Sequence, residues 1–192
     1  MDQLFYDALV DNPIIAAVKD DAGLEKVCAL EEIEVVFILY GDICNIPKIV
    51  QKLKNQGKIA IVHVDLISGF SAKEISVDFI KMNTCADGII STKIALIHRA
   101  KELGLYAILR FFVIDSIALE NIAYADRQPP HKRPDCVEIL PGIMPKVIKK
   151  VKHITKYPII SSGLIVDKED IVGVLEAGAM AISSTNEKVW KM

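Results

Sequence analysis

No apolar run in this 192-residue chain approaches the roughly 20 residues needed to cross a bilayer, so no transmembrane helix is expected. Residues 1–13 hold three Asp and no Lys or Arg, and so lack the basic flank and long apolar stretch of a secretory signal. A soluble cytoplasmic protein with no membrane partner is the expectation. Close cysteine pairs are also missing. Cys28, Cys44, Cys85 and Cys136 lie 16, 41 and 51 residues apart, which disfavours zinc sites and redox motifs and favours buried free thiols. No metal or cofactor is expected. Excess charge of one sign is absent too: a net charge of −2 gives the whole molecule little pull on phosphate backbones or anionic lipid. Any nucleic-acid surface must therefore be local.

What the chain has in quantity is hydrocarbon. An apolar fraction of 52% against 25% charged residues supplies a sizeable core and excludes disorder as the main state. The length suits one domain, residues 1–192, and no linker divides it. Short Val- and Ile-rich runs at 14–18, 35–39, 59–64, 88–90, 106–112, 136–139, 158–161 and 179–183 read as strands. Helical periodicity follows each, near 22–31, 45–56, 72–82, 92–103, 115–125, 143–154, 167–177 and 184–190. In the second of these helices Ile46, Ile49, Val50 and Leu53 share one face, Asn45 is the expected N-cap, Pro47 sits in the first turn and Gly57 ends the run. Strands apolar on both faces and separated by helices imply parallel pairing with right-handed crossovers. Eight such units in 192 residues predict a compact (β/α)8 TIM-like barrel. An open doubly wound sheet is the rival, because parallel pairing alone does not show closure.

In a parallel barrel the loops after the strands gather on one face, and this sequence repeatedly places polar residues there. They include Lys19, His63 and Asp65, Ser91 with Lys93, Arg110, Glu138, Ser162 with Gly163, and Ser183 with Ser184. Together they predict one ligand site. His63 and Asp65 are two apart, which on a strand turns both side chains the same way; a helix-capping Asp beside a satisfied histidine is the structural alternative. Arg110 interrupts an apolar run, where an unpaired guanidinium costs several kcal/mol, so pairing with Glu138 or with a ligand anion is expected. Lys19 and Lys93 are either anion contacts or surface lysines. The loops at 162–165 and 183–186 combine small residues, hydroxyls and Gly163 where barrels bind phosphate near a helix N-terminus, unless they are ordinary turns. A small phosphate ester is the predicted ligand.

Five segments in order, 12–19, 63–71, 87–93, 138–142 and 163–165, resemble the glycerol uptake operon antiterminator regulatory proteins, the glycerol-3-phosphate-responsive antiterminator family. Two positions depart from that pattern: Ser162 precedes Gly163 where a second Gly is expected, and Phe111 follows Arg110 where Leu is commoner. The resemblance implies a (β/α)8-like fold, glycerol 3-phosphate as effector, and binding to the leader mRNA of glycerol-utilisation operons to prevent premature termination.

That role needs a basic surface. Residues 127–156 carry eight Lys or Arg against two acids, a local +6 that leaves −8 for the rest of the chain. Helical spacing puts Lys146, Lys149, Lys150 and His153 on one face, opposite Val147, Val151 and Ile154. This stripe either tracks RNA phosphates or is a solvated helix face; it lacks the aromatic interleaving common in single-strand readers. The alternative function is an isomerase- or aldolase-like enzyme acting on a small polyol or sugar phosphate, with His63 or Glu138 as acid or base and Lys93 or Arg110 stabilising charge. No Schiff-base lysine context or metal-ligand cluster names such a reaction, so a regulatory, non-enzymatic protein is favoured, with a homo-oligomer as a further possibility.

Overall fold

The computed structural model describes residues 3–192. After an N-terminal helix α1 (Gln3–Asp11), strands and helices alternate as β1 (Ile14–Val18), α2 (Asp21–Cys28), β2 (Val35–Ile38), α3 (Ile46–Lys54), β3 (Ile59–His63), α4 (Glu74–Asn83), β4 (Gly88–Ser91) and α5 (Ile94–Glu102). The second half continues with β5 (Tyr106–Phe112), α6 (Ser116–Asp126), β6 (Cys136–Leu140), α7 (Pro145–Ile154), β7 (Ile159–Ser162), α8 (Lys168–Glu176) and β8 (Ala181–Ser184). Every strand pairs in parallel with the next, and β1 pairs with β8 through Ile14–Ile182, Ile15–Ser183 and Ala16–Ser184. The sheet is a closed eight-stranded barrel, as expected, and the open-sheet rival is excluded.

Strand alternation divides the hydrocarbon into two bodies. Residues such as Ala16, Val36, Val62 and Ile89 face outward and pack with the helices, while Ile15, Phe37, Ile61, Ile90, Ile108 and Ile160 fill the barrel interior. Helix α1, which the strand-helix pattern did not include, closes the interior at the strands' N-terminal end. Its Phe5, Ala8 and Leu9 recur at helical spacing and join the interior cluster, with Phe5 stacked on Tyr106 at 4.6 Å between centroids. At that same end a motif occurs twice. Asp87 takes Lys54 at 2.7 Å and the Ala60 N–H at 2.8 Å, and Asp135 takes Lys101 at 2.7 Å and the Ala107 N–H at 2.9 Å.

Three local expectations are corrected. No α-helix fills 184–190; the segment after β8 turns through Asn186 and forms a 3₁₀ turn at Val189–Lys191, anchored by the Trp190 Nε1–H donating to the Ser184 carbonyl at 2.7 Å. Asn45 does not cap α3 with its side chain: its amide oxygen accepts the Asp42 N–H at 2.8 Å, while the Asp42 carboxylate takes the Cys44 and Asn45 N–H groups. The four cysteines are free, but only Cys136 is buried; Cys44 and Cys85 are exposed. None of the described helices is long and apolar enough to cross a membrane.

Candidate functional site

The apolar barrel interior ends in a polar ring at the strands' C-terminal mouth, and alternation explains who belongs to it. Stepping two residues from interior Ile61, Ile108, Cys136, Ile160 and Ala181 reaches His63, Arg110, Glu138, Ser162 and Ser183. Arg110 and Glu138 are direct neighbours in the β5–β6 register. The Arg110 Nε donates to Glu138 Oε2 at 2.6 Å and its Nη2 to Oε1 at 3.2 Å, while the Ser162 hydroxyl donates to Oε1 at 2.6 Å. Glu138 is fully buried and the Arg110 side chain only 10% exposed, so this is a desolvated, forked ion pair with a third donor.

A mouth cavity of about 330 Å³ opens over this trio and is walled by Gly163, Leu164 and Ile165 after β7 and by Ser183, Ser184, Thr185 and Asn186 at the end of β8. Gly163 and Leu164 both adopt positive φ, 84° and 64°, which turns the chain sharply at the cavity wall; for Leu this is a strained conformation. The N–H groups of Gly163, Leu164, Ile165 and Thr185 have no acceptor among the described residues. Such uncommitted backbone donors beside a guanidinium make an anion-favouring concavity.

His63 sits in the same polar ring, 2% exposed, and neither ring nitrogen has a hydrogen-bond partner among the described residues. Burial, reinforced by the positive charge of Arg110 and only partly opposed by Asp65, pushes its pKa down to about 4. It is neutral at physiological pH. The satisfied-histidine alternative therefore fails, and so does the helix cap: neither α4 nor α5 takes a side-chain cap, and Asp65 instead braces the loop between β4 and α5. Asp65 lies in a 3₁₀ turn (Val64–Leu66) after β3 ends, so the two residues do not share a strand face. Its carboxylate accepts from the Ser91 hydroxyl at 2.7 Å, the Thr92 N–H at 2.7 Å and the Thr92 hydroxyl at 2.9 Å. Burial works against the charged form, but these donors, with His63, hold its carboxyl below the ordinary carboxylate range.

The predicted residues therefore separate by strand parity. Arg110, Glu138, Ser162, Gly163 and Ser183 meet at the cavity with Ser184 on its wall. Ser91 and Ser184 follow the outward positions Ile89 and Ile182, and their hydroxyls brace loops: Ser91 holds Asp65 and the Lys93 N–H, and Ser184 donates to the Ile165 carbonyl at 3.1 Å. Lys19 and Lys93 are exposed and do not line the cavity. Ala17, Leu39, Leu140 and Val166 line it without having been predicted; parity flags Ala17, Leu39 and Leu140, the inward positions after Ile15, Phe37 and Glu138. Among the described residues no group of three or more His, Cys, Asp or Glu side chains is placed to hold a metal ion.

On the outer layer, Lys146, Lys149, Lys150 and His153 are all exposed on α7, and none forms a salt bridge among the described residues. The buried face of α7 is Ile148 with Val151, while Val147 and Ile154 are half-buried, a small rotation from the expected face. The two acids of the 127–156 segment, Asp135 and Glu138, are both buried and already paired with Lys101 and Arg110.

The chain is 46% identical over 184 residues to the uncharacterized protein YgcP of Escherichia coli K12, covering 96% of this chain and 94% of that one. It superposes on the glycerol uptake operon antiterminator regulatory protein of Listeria monocytogenes with a TM-score of 0.88 at 31% identity, covering 94% and 96% of the two chains. A glycerol uptake operon antiterminator-related protein of Thermotoga maritima gives a TM-score of 0.80 at 34% identity, with 93% and 98% covered. Both solved relatives are named for antitermination and neither for an enzymatic activity. With the family model for the glycerol-3-phosphate responsive antiterminator matching residues 14–190, almost the entire barrel, this chain belongs to that family.

Proposed function

We propose that the barrel mouth binds glycerol 3-phosphate, or a closely similar small phosphate ester, and that the occupied protein engages leader mRNA as a transcription antiterminator. The observation that carries the ligand reading is the cavity itself, with uncommitted N–H groups on the β7 and β8 loops and the Arg110–Glu138–Ser162 trio on its floor. The division of labour follows from charge. Arg110 is already spent on a buried carboxylate, so the phosphate goes to the backbone donors and leaves Glu138 and Ser162 to meet the hydroxylated end. Family membership supports the effector's identity.

The RNA reading rests on the same membership and on the unpaired basic stripe Lys146, Lys149, Lys150 and His153. An effector shifts an RNA-binding equilibrium only by its differential affinity for the two states, so RNA must tighten effector binding by the factor with which effector tightens RNA binding. A thermal-shift series with glycerol 3-phosphate, glycerol and inorganic phosphate tests the ligand: stabilisation by the ester well beyond the other two is expected, and equal shifts would refute it. Mass analysis after incubation should return the ester unchanged; a product would move the assignment to an enzyme. Charge reversal at Lys146, Lys149 and Lys150 should weaken leader-transcript binding and lower its salt dependence. Affinity that survives the reversal would place the RNA on another face.

A further inference from the structure

Seven strands are followed by α-helices of 8–11 residues, but β8 is followed only by the turn at Trp190, and the helical layer has a groove between α8 and the end of α2. A cavity of about 680 Å³ lies there, with apolar walls at Ile14, Leu30, Ile171, Val172, Trp190 and Met192. Val172 and Met192 are 43% and 52% exposed. Lys168 and Lys191 flank this cavity against the single acid Glu32. Lys188 borders an adjoining cavity in which Lys26 and Glu187 neutralise each other at 2.6 Å. The groove is apolar at its floor and positive at its rim.

Helix α1 presents the complement. Its inner face is used inside the barrel, and its outer face carries Tyr6 and Val10 one turn apart, 40% and 54% exposed. Asp7 and Asp11 form the neighbouring row, and residues 3–11 contain no Lys or Arg. At nine residues α1 falls within the length range of the seven barrel helices. The chain leaves α1 through Asn12 and Pro13 directly into the groove wall, so helix and groove form one continuous surface, as a two-fold contact between identical patches requires.

We infer that α1 of a second copy of this chain seats in the groove and that the exchange is reciprocal. The apolar row of α1 covers the floor, and the aspartates of each copy face the groove lysines of the other. Sedimentation velocity on the full chain tests this: a dimer is expected, dissociating more readily as salt screens the charge contacts. Val10→Asp and Val172→Asp, both at exposed positions, should each weaken dimerisation at least tenfold while keeping the native circular dichroism. Asp7→Lys with Asp11→Lys should do the same, and adding Lys168→Glu with Lys191→Glu should restore the dimer. In a Cys44→Ser, Cys85→Ser background, Val10→Cys together with Val172→Cys should yield a covalent dimer on oxidation, which decides the matter if the charged variants misfold. A wild-type chain that stays monomeric at every concentration would overturn the inference, as would a dimer that ignores both valine substitutions or fails to cross-link.

Discussion

Replacing Arg110 by Met removes both guanidinium bonds to Glu138 and leaves a fully buried carboxylate with the Ser162 hydroxyl as its one donor. Breaking a buried pair from one side costs about 3–5 kcal/mol, because the remaining charge is uncompensated. Against a typical domain stability of about 5–15 kcal/mol that is a large share, and at roughly 2–4 °C per kcal/mol for a chain of this size it lowers Tm by about 10 °C. The loss should ease as the pH falls and the stranded carboxyl takes a proton. The double variant Arg110→Met, Glu138→Leu removes both charges and should recover most of the stability, leaving only the Ser162 hydroxyl without its acceptor, at about 1 kcal/mol. Urea unfolding followed by circular dichroism at pH 8 and pH 5 measures all four quantities. A single variant that loses less than about 1 kcal/mol, or a double variant no more stable than the single, would refute the assignment of Arg110 to charge compensation.

Further predictions concern the surroundings of that pair. His63 is held at about 4 against an ordinary 6.5, so the unfolded chain takes up the proton first as the pH drops. The stability from keeping it neutral is fully present above about pH 6.5 and falls by about 3 kcal/mol towards pH 4, in the same direction as the contribution of Asp65. His63→Leu should flatten the slope between pH 6.5 and pH 4; an unchanged slope would show that His63 is not its source. Asp65→Ala removes three hydrogen bonds to Ser91 and Thr92 and should cost about 2 kcal/mol, with faster amide exchange at Thr92; undisturbed exchange there would contradict its bracing role. Trp190, 4% exposed and bonded to the Ser184 carbonyl, should cost about 3–5 kcal/mol when cut to Ala, and a loss below about 1 kcal/mol would mean the turn is not an anchor.

The barrel was legible because its strands are apolar on both faces, and the runs at 14–18 and 106–112 coincide with β1 and β5. Closure was legible only in the count of eight units, since the β1–β8 pairing leaves no mark on either strand that an open sheet would lack. The turn at Trp190 escaped because residues 184–190 occupy the place a helix takes after every other strand; their only apolar residues, Val189 and Trp190, are adjacent and give no helical face, and Asn186 and the Trp190 indole fix the segment with local hydrogen bonds. Helix α1 escaped for the opposite reason: its signal, Phe5, Ala8 and Leu9 before Asn12 and Pro13, lies in a stretch weighed only as a leader. For the site, residue type found the mouth but parity sorts it. Ser162 and Ser183 face inward and Ser91 and Ser184 outward, a distinction set by one residue of register. Long exposed side chains such as Lys19 and Lys93 satisfy any position rule at a strand end, so their sequence position carried little information about the cavity.

The claim on which the function rests is that the mouth cavity holds the phosphate of a small ester between the β7 and β8 loops. Thr185 is exposed and lines that cavity, so Thr185→Glu adds a negative charge at the ligand without disturbing the core. At about 4 Å and an effective dielectric near 20, like charges repel by several kcal/mol, and a tenfold loss of affinity needs only about 1.4 kcal/mol. Calorimetric titration of glycerol 3-phosphate into both proteins is therefore decisive: saturable one-site binding to the wild type, weakened at least tenfold in Thr185→Glu, is predicted, while no binding to the wild type or equal binding to the two would contradict it.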